Sequence, residues 1–348
     1  MTAADQTPTP VPSAILCADW GKASAKRAVY VADVASRAVR RVPGRNWSLA
    51  GVLDEAERWT STGSVLVSFD VPLGVPLSYI EAWGRVSSGL ATTFLDLLEL
   101  TAAMPEFFEA TSDATAWRLE RPFFAVPPGV GGRFAYERAA ESLGVNIYRR
   151  IDRRTSANSL FIKSGIPGSV GSATCALWLE LAELLTEDRS FRVWPFEGSL
   201  RTLLMTSAVV VGEIYPRAAY ATALSSATPA SRPRLSIAKT KPAIRLQAIT
   251  SLQAADWVHS LGVSIENLAD AARNEDDFDA CFTAAALLRC VLEGSPLDLA
   301  ASTATQAEGG MLGTGTINLD LPEQGFRSPT RESSTLAAVR SSRGVLPV

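Results

Sequence analysis

Histidine is almost absent: His259 stands alone in a chain of 348 residues. That scarcity removes Ser-His-Asp and Cys-His catalysis unless this one residue serves, and it leaves no histidine-based metal cage. The four cysteines, Cys17, Cys175, Cys281 and Cys290, are scattered in apolar settings without the paired spacing of a zinc site. They read as buried thiols of a reducing cytoplasm. Basic excess is also lacking, since 33 Lys and Arg against 36 Asp and Glu leave a net charge of -3. No global field draws nucleic acid to such a chain, so any phosphate contact has to come from local patches. Apolar runs are broken by Asp, Glu, Arg or Pro well before the roughly 20 residues of a bilayer crossing. Residues 1–13, rich in Thr and Pro, lack the basic-then-apolar order of a signal peptide and read as a short disordered leader. A soluble, cytoplasmic protein without a membrane partner is the expectation.

What is present suits a globular core: 47% of residues are hydrophobic and 20% charged, which excludes wholesale disorder. One large domain over residues 14–321 is the simplest organisation. Residues 14–19 and 27–34 are apolar runs separated by a turn, a hairpin signal, and residues 36–42 fit an outer strand with its arginines facing water. Val52, Leu53, Ala56 and Trp59 have helical spacing, and Gly63 stops that helix before the apolar run 65–69. After Asp70 two prolines and a glycine open a mainly helical insertion of about residues 77–190. Strand character returns at 191–196 and 207–215, helices are predicted over 241–261 and 276–292, and Gly313-Thr-Gly315 suggests a small hairpin within 309–321. Residues 322–348 read as a disordered tail.

With histidine and cysteine out of play, acid-base or metal chemistry falls to carboxylates. Asp19 ends the first apolar strand and Asp70 the fourth, and ligands of open α/β sheets collect at the carboxyl ends of strands spaced about 4.8 Å apart. Glu213 sits late in Val209-Val-Val-Gly-Glu213, where burial of an unpaired charge asks for a cation. Asp276 and Asp279, three apart at the start of an amphipathic helix, share a face. Two carboxylates about 4 Å apart repel by roughly 4 kcal/mol at an effective dielectric of about 20, so a cluster has to be protonated or neutralised. All-oxygen ligation suits magnesium or manganese, which activate water and stabilise a leaving oxygen in phosphodiester chemistry. Taken singly these acids also fit plainer roles: turn residues for Asp19 and Asp70, a helix cap for Asp276 and Asp279, an ion pair with Arg217 or Lys239 for Glu213.

The order of three strands, helix, strand, insertion, strand and acidic helix resembles the ribonuclease H-like superfamily. Six segments, Ala18-Asp19-Trp-Gly21, Phe69-Asp70-Val-Pro-Leu-Gly-Val-Pro76, Val170-Gly171-Ser172, Trp194-Pro-Phe-Glu197, Glu213-Ile-Tyr-Pro-Arg217 and Asp276-Asp-Phe-Asp279-Ala280, resemble the domain-of-unknown-function 429 family, regarded as predicted nucleases of that fold. The resemblance implies a mixed five-stranded-type α/β sheet with flanking helices. It also implies catalytic and metal-binding acids at Asp19, Asp70, Glu213 and Asp279, with Asp276 or Asp277 as a further candidate, and nucleic acid as substrate.

Phosphate contacts are expected, more weakly, from the cluster Arg149, Arg150, Arg153 and Arg154 and from Lys163, Lys239 and Lys241, each of which also fits a solvated surface. The glycine-rich 165–172 lacks the Walker ending and reads as a plain loop before the helix containing Trp178, and Glu197 as a turn residue. The expected function is a magnesium- or manganese-dependent nuclease acting on DNA or RNA. Two alternatives remain open, a catalytically silent binding protein of the same fold and a nucleotide-binding phosphotransferase of related strand order.

Overall fold

A computed structural model describes residues 10–127, 132–185, 189–299 and 307–327. The first apolar run forms β1 (Ala14–Trp20), buried throughout except at Asp19, so both faces of its sheet have to be covered. The chain returns antiparallel as β2 (Arg27–Asp33) and β3 (Ala38–Arg41). Helix α1 (Leu49–Glu57) starts where the Ser48 hydroxyl accepts the Gly51 amide, and it delivers β4 (Val65–Phe69) parallel to β1.

Then come α2 (Leu77–Val86), α3 (Phe94–Thr101), β5 (Phe124–Ala125), α4 (Gly132–Glu141), α5 (Arg150–Thr155), β6 (Ile162–Ser164) and α6 (Gly171–Leu184), with β5 and β6 forming a separate parallel pair. The main sheet resumes with β7 (Phe191–Val193) and, after α7 (Leu200–Thr206), β8 (Val209–Ile214). Helix α8 (Pro216–Leu224), β9 (Leu235–Ser236), α9 (Pro242–Gln253), α10 (Asp256–Ser260), β10 (Ser264–Ile265), α11 (Leu268–Arg273) and α12 (Glu275–Glu293) lead to β11 (Met311–Leu312) and β12 (Gln324–Gly325).

The eight-stranded sheet runs β10-β3-β2-β1-β4-β8-β11, with β7 also on β8. Only β2 runs against the rest. Because side chains alternate along a strand, the sheet has two separate cores. Leu16, Val67 and Val211 pack with Phe94, Phe107, Phe123 and Trp178 of the 77–190 segment. Ile15, Cys17, Leu66 and Val210 pack with Phe278, Cys281, Phe282 and Ala285 of α12. Among the described residues no helix is long and apolar enough to cross a membrane.

Several expectations are corrected. The third strand is not outermost, because β10 pairs with it, and Arg41 reaches inward to Asp277 at 2.6 Å. The helix expected over 241–261 is two, α9 and α10, and the break lets the Trp257 indole donate to the Ala223 carbonyl at 2.9 Å. No hairpin forms within 309–321: β11 lies parallel on Glu213 and Ile214 of β8, and a Cβ on Gly315 would stand 2.3 Å from the Asp298 carbonyl oxygen. Of the expected leader, Ser13 already pairs, its amide on Ser64 at 2.7 Å and its carbonyl on Val34 at 3.1 Å, while residues 1–9 lie outside the described residues. Of the expected tail, β12 pairs with β9, and residues 328–348 lie outside the described residues.

Two glycines fasten the loop after Asp70 to the segment before β11. At Gly74 (φ +115) a Cβ would meet the Glu308 carbonyl oxygen at 2.1 Å, and at Gly309 (φ +89) the Leu73 carbonyl oxygen at 1.9 Å. Gly309→Ala should therefore destabilise the protein by on the order of 3 kcal/mol or more, combining a left-handed backbone with a clash that only main chain could relieve. Gly262→Ala (φ +63, open space) should cost only about 1–2 kcal/mol, and urea midpoints of the two variants check the difference.

Candidate metal centre

Register decides which acids meet. In the parallel ladder Ala18, Phe69 and Glu213 stand at one level, so their side chains share the face covered by the 77–190 segment. Asp19 and Asp70 each come one residue later and point to the opposite face, where α12 lies. There Asp279, in the second turn of α12, joins them: Asp19, Asp70 and Asp279 each offer a carboxylate oxygen, and these atoms all lie within 4.8 Å of one another.

Local bonds hold the three in place. The Trp20 amide donates to Asp70 Oδ1 at 2.8 Å, so the residue after one acid orients the other. Tyr220 of α8 donates its hydroxyl to Asp279 Oδ1, and the Lys239 ammonium, between β9 and α9, donates to Oδ2. On the opposite face the Trp20 ring packs edge-on against Phe69 at 5.0 Å and lies 3.7 Å beneath the Arg27 guanidinium.

Charge is accumulated here beyond what burial tolerates. Desolvation, then the fields of Asp70 and Asp279, hold the Asp19 carboxyl well above its ordinary range. Burial and Asp279 push Asp70 up to about 6. Burial raises Asp279 too, against the pull of Lys239 and Tyr220. Asp276, at the rim one turn earlier, is raised by partial burial and by Asp279. Three carboxylate oxygens with no nitrogen or sulfur donor form a set suited to a hard divalent cation such as magnesium or manganese. Next to them opens a cavity of about 310 Å³ lined by Asp70, Asp279, Lys239, Tyr220, Arg217 and Ser236 among others.

Glu213 does not join the cluster, which corrects the expectation that it ligates metal. Its oxygens accept from Arg149 Nη1 at 2.7 Å and Nη2 at 2.8 Å, and Oε2 also accepts the Leu73 amide at 2.9 Å. The buried charge found its cation in the chain itself. Arg149, expected at a phosphate-contacting surface, is fully buried and also binds Asp152 at 2.8 Å. Around it Glu308 caps two helices, taking the Leu77 amide of α2 at 3.0 Å and the Arg150 amide of α5 at 2.8 Å.

No protein-family model, curated protein or solved structure matches the chain. The chemistry of the centre is therefore read from its own geometry.

Other candidates separate in the same way. Lys163 is committed to the Phe108 carbonyl at 2.6 Å. Arg153 bonds Asn146 at 2.9 Å, and Arg154 lies 3.9 Å from Asp320. Arg150 and Lys241 keep exposed side chains. Asp277 caps α12 with Asn274 and pairs with Arg41, facing away from the cluster. In the glycine-rich loop a Cβ on Gly165 would stand 2.0 Å from the Val126 carbonyl oxygen and one on Gly171 2.7 Å from that of Leu160, so these glycines serve close backbone approach. Glu197 accepts the Val193 amide at 2.6 Å and pairs with Arg189, a turn role. The four cysteines are buried and free. Missing from the sequence reading was Tyr220, whose only sequence signal is a phenol in an otherwise alanine-rich helix.

Two outcomes follow. Folded-state carboxyl pKa values above the unfolded ones mean that the folded protein holds protons the unfolded chain has released. The stabilisation that protonated Asp70 contributes is thus full below about pH 4 and lost as pH rises through about 6. Without metal, Asp70→Asn should raise stability at pH 7 by up to about 3 kcal/mol and leave it unchanged at pH 4; if the three carboxylates hold a divalent cation, manganese should raise the melting temperature of wild type at pH 7 and not that of Asp70→Asn, and melts in EDTA and in manganese check both. On the other face, Arg149→Met should cost about 3–5 kcal/mol, whereas Glu213→Gln should leave manganese affinity by calorimetry at the wild-type value.

Proposed function

We propose that this chain is a divalent-metal-dependent nuclease of the ribonuclease H-like kind, hydrolysing phosphodiester bonds of DNA or RNA. The observation that carries the reading is the convergence of Asp19, Asp70 and Asp279, from two neighbouring strands and a helix remote in sequence, to within 4.8 Å. The order of a three-stranded meander, helix, parallel strand and closing acidic helix supports it.

Asp19, central to the repulsion, and Asp70 and Asp279 beside it would hold magnesium or manganese. Bound there, such a cation supplies Lewis acidity toward a phosphate oxygen and lowers the pKa of a water. The chain's own groups do the rest. Trp20 and Tyr220 fix two of the carboxylates, so the site is organised before any substrate arrives. Lys239 neutralises Asp279 and, once relieved of that task, carries its ammonium toward the adjoining cavity, where phosphate binds. Asp276, half-buried at the rim, is placed to orient water.

A second reading has one observation in its favour: the Lys239 ammonium already gives Asp279 a cation, as a catalytically silent binding protein would require. The two part company on one screen, in which protein with manganese meets single-stranded, duplex, hybrid and junction nucleic acids. Wild type should cleave at least one of them, and Asp19→Asn should lose at least about 100-fold of the rate with its melting temperature in EDTA kept. Cleavage retained by Asp19→Asn sinks the metal mechanism, and no cleavage together with no manganese binding favours the silent fold.

A further inference from the structure

The cavity of about 310 Å³ beside the carboxylates has a cationic side chain at its other wall. Arg217 stands at the second position of α8, after Pro216, and the Ala218 and Ala219 amides return to the Tyr215 carbonyl at 3.0 and 3.1 Å. Tyr215 is itself tied to the Thr155 carbonyl at 2.6 Å. The guanidinium is thus mounted on a rigid corner. It is 42% exposed and points its Nη1 at Glu323 Oε2, 2.7 Å away.

Glu323 belongs to a lightly held segment. The two residues of β12 after it pair with Leu235 and Ser236 of β9, with Gln324 donating to Arg234 at 2.9 Å and Phe326 to Ser236 at 2.8 Å. Ser236, Ile237 and Lys239 continue from that pairing along the cavity wall. An ion pair open to solvent is a weak restraint, and a guanidinium takes a phosphate with the same forked geometry as a carboxylate. The carboxylate of Glu323 therefore marks where an anion rests.

Building on the nuclease reading, we propose that Arg217 is the subsite for the phosphate next to the one held at the carboxylates, and that Glu323 keeps that place until substrate displaces it. A cavity of this volume belongs to the small end of ligand pockets and matches one nucleotide unit. On that ground the substrate class proposed is a single-stranded nucleic acid or an unpaired strand end.

The test measures binding of a fluorescent single-stranded oligonucleotide to the full chain, in manganese and again in EDTA, over a range of salt. Arg217→Gln should weaken binding about 10-fold or more and reduce the slope of log K against log salt by about 0.7, and Arg217→Lys should recover part of the affinity. Glu323→Gln should tighten binding. Loss of these effects in Arg217→Gln at unchanged melting temperature, weakening by Glu323→Gln, or tighter binding of a blunt duplex than of the single strand overturns the proposal. The EDTA arm keeps the two ideas apart: an Arg217-dependent slope there stands even if no manganese binds and no cleavage occurs, whereas cleavage lost with Asp19→Asn but an unchanged Arg217→Gln slope removes this subsite alone.

Discussion

Mutual repulsion among Asp19, Asp70 and Asp279 is the constraint around which this end of the molecule is arranged. Two of the three are carried by neighbouring strands whose register cannot slip without turning every core side chain to the wrong face, so they cannot move apart to relieve it. The third rides on α12, which is pinned against the sheet by Phe278, Cys281 and Phe282. Relief has to come from protons, from Lys239 or from a bound cation. Each of these is exchangeable with solvent, because Asp70 and Lys239 line an open cavity.

The opposite face handles its charge in another way. Glu213 and Asp152 are answered by Arg149, sealed between them with no exposure at all. A guanidinium does not lose its proton in any ordinary condition, and its five donors leave little of either carboxylate unbonded. That network also grips Leu73 through both its amide and its carbonyl, and so it holds the loop that leaves Asp70. The two acid groups lie one residue apart along the strands and have opposite characters, one permanently neutralised and load-carrying, the other left in tension.

Much of this is legible in the sequence, for reasons that differ by residue. Asp19 and Asp70 announce themselves because each closes a short apolar run before a turn. Asp279 does so because it opens a helix whose later turns are apolar. Glu213 misleads because Val209-Val-Val-Gly carries no alternation: a strand buried on both faces hides its parity, and parity alone separates Glu213 from the other acids. Arg149 reads as surface among four arginines, since its burial depends on Glu213, far along the chain. Lys239 is expected from the sequence at a substrate phosphate or beside Glu213, and its pairing with Asp279 carries no sequence signal. The two-residue β11 is too short to show any period, so its parallel pairing with β8 could not be told from a hairpin.

The shared outer edge of β8 bears on how the protein is made. Its first half is matched by β7, just upstream, but its second half, Glu213 and Ile214, waits for Met311 and Leu312. During synthesis the main-chain donors and acceptors there stay unmatched until Met311 and Leu312, beyond the end of α12, have left the ribosome. For that interval the growing chain carries a short, open sheet edge of the kind that pairs with neighbours.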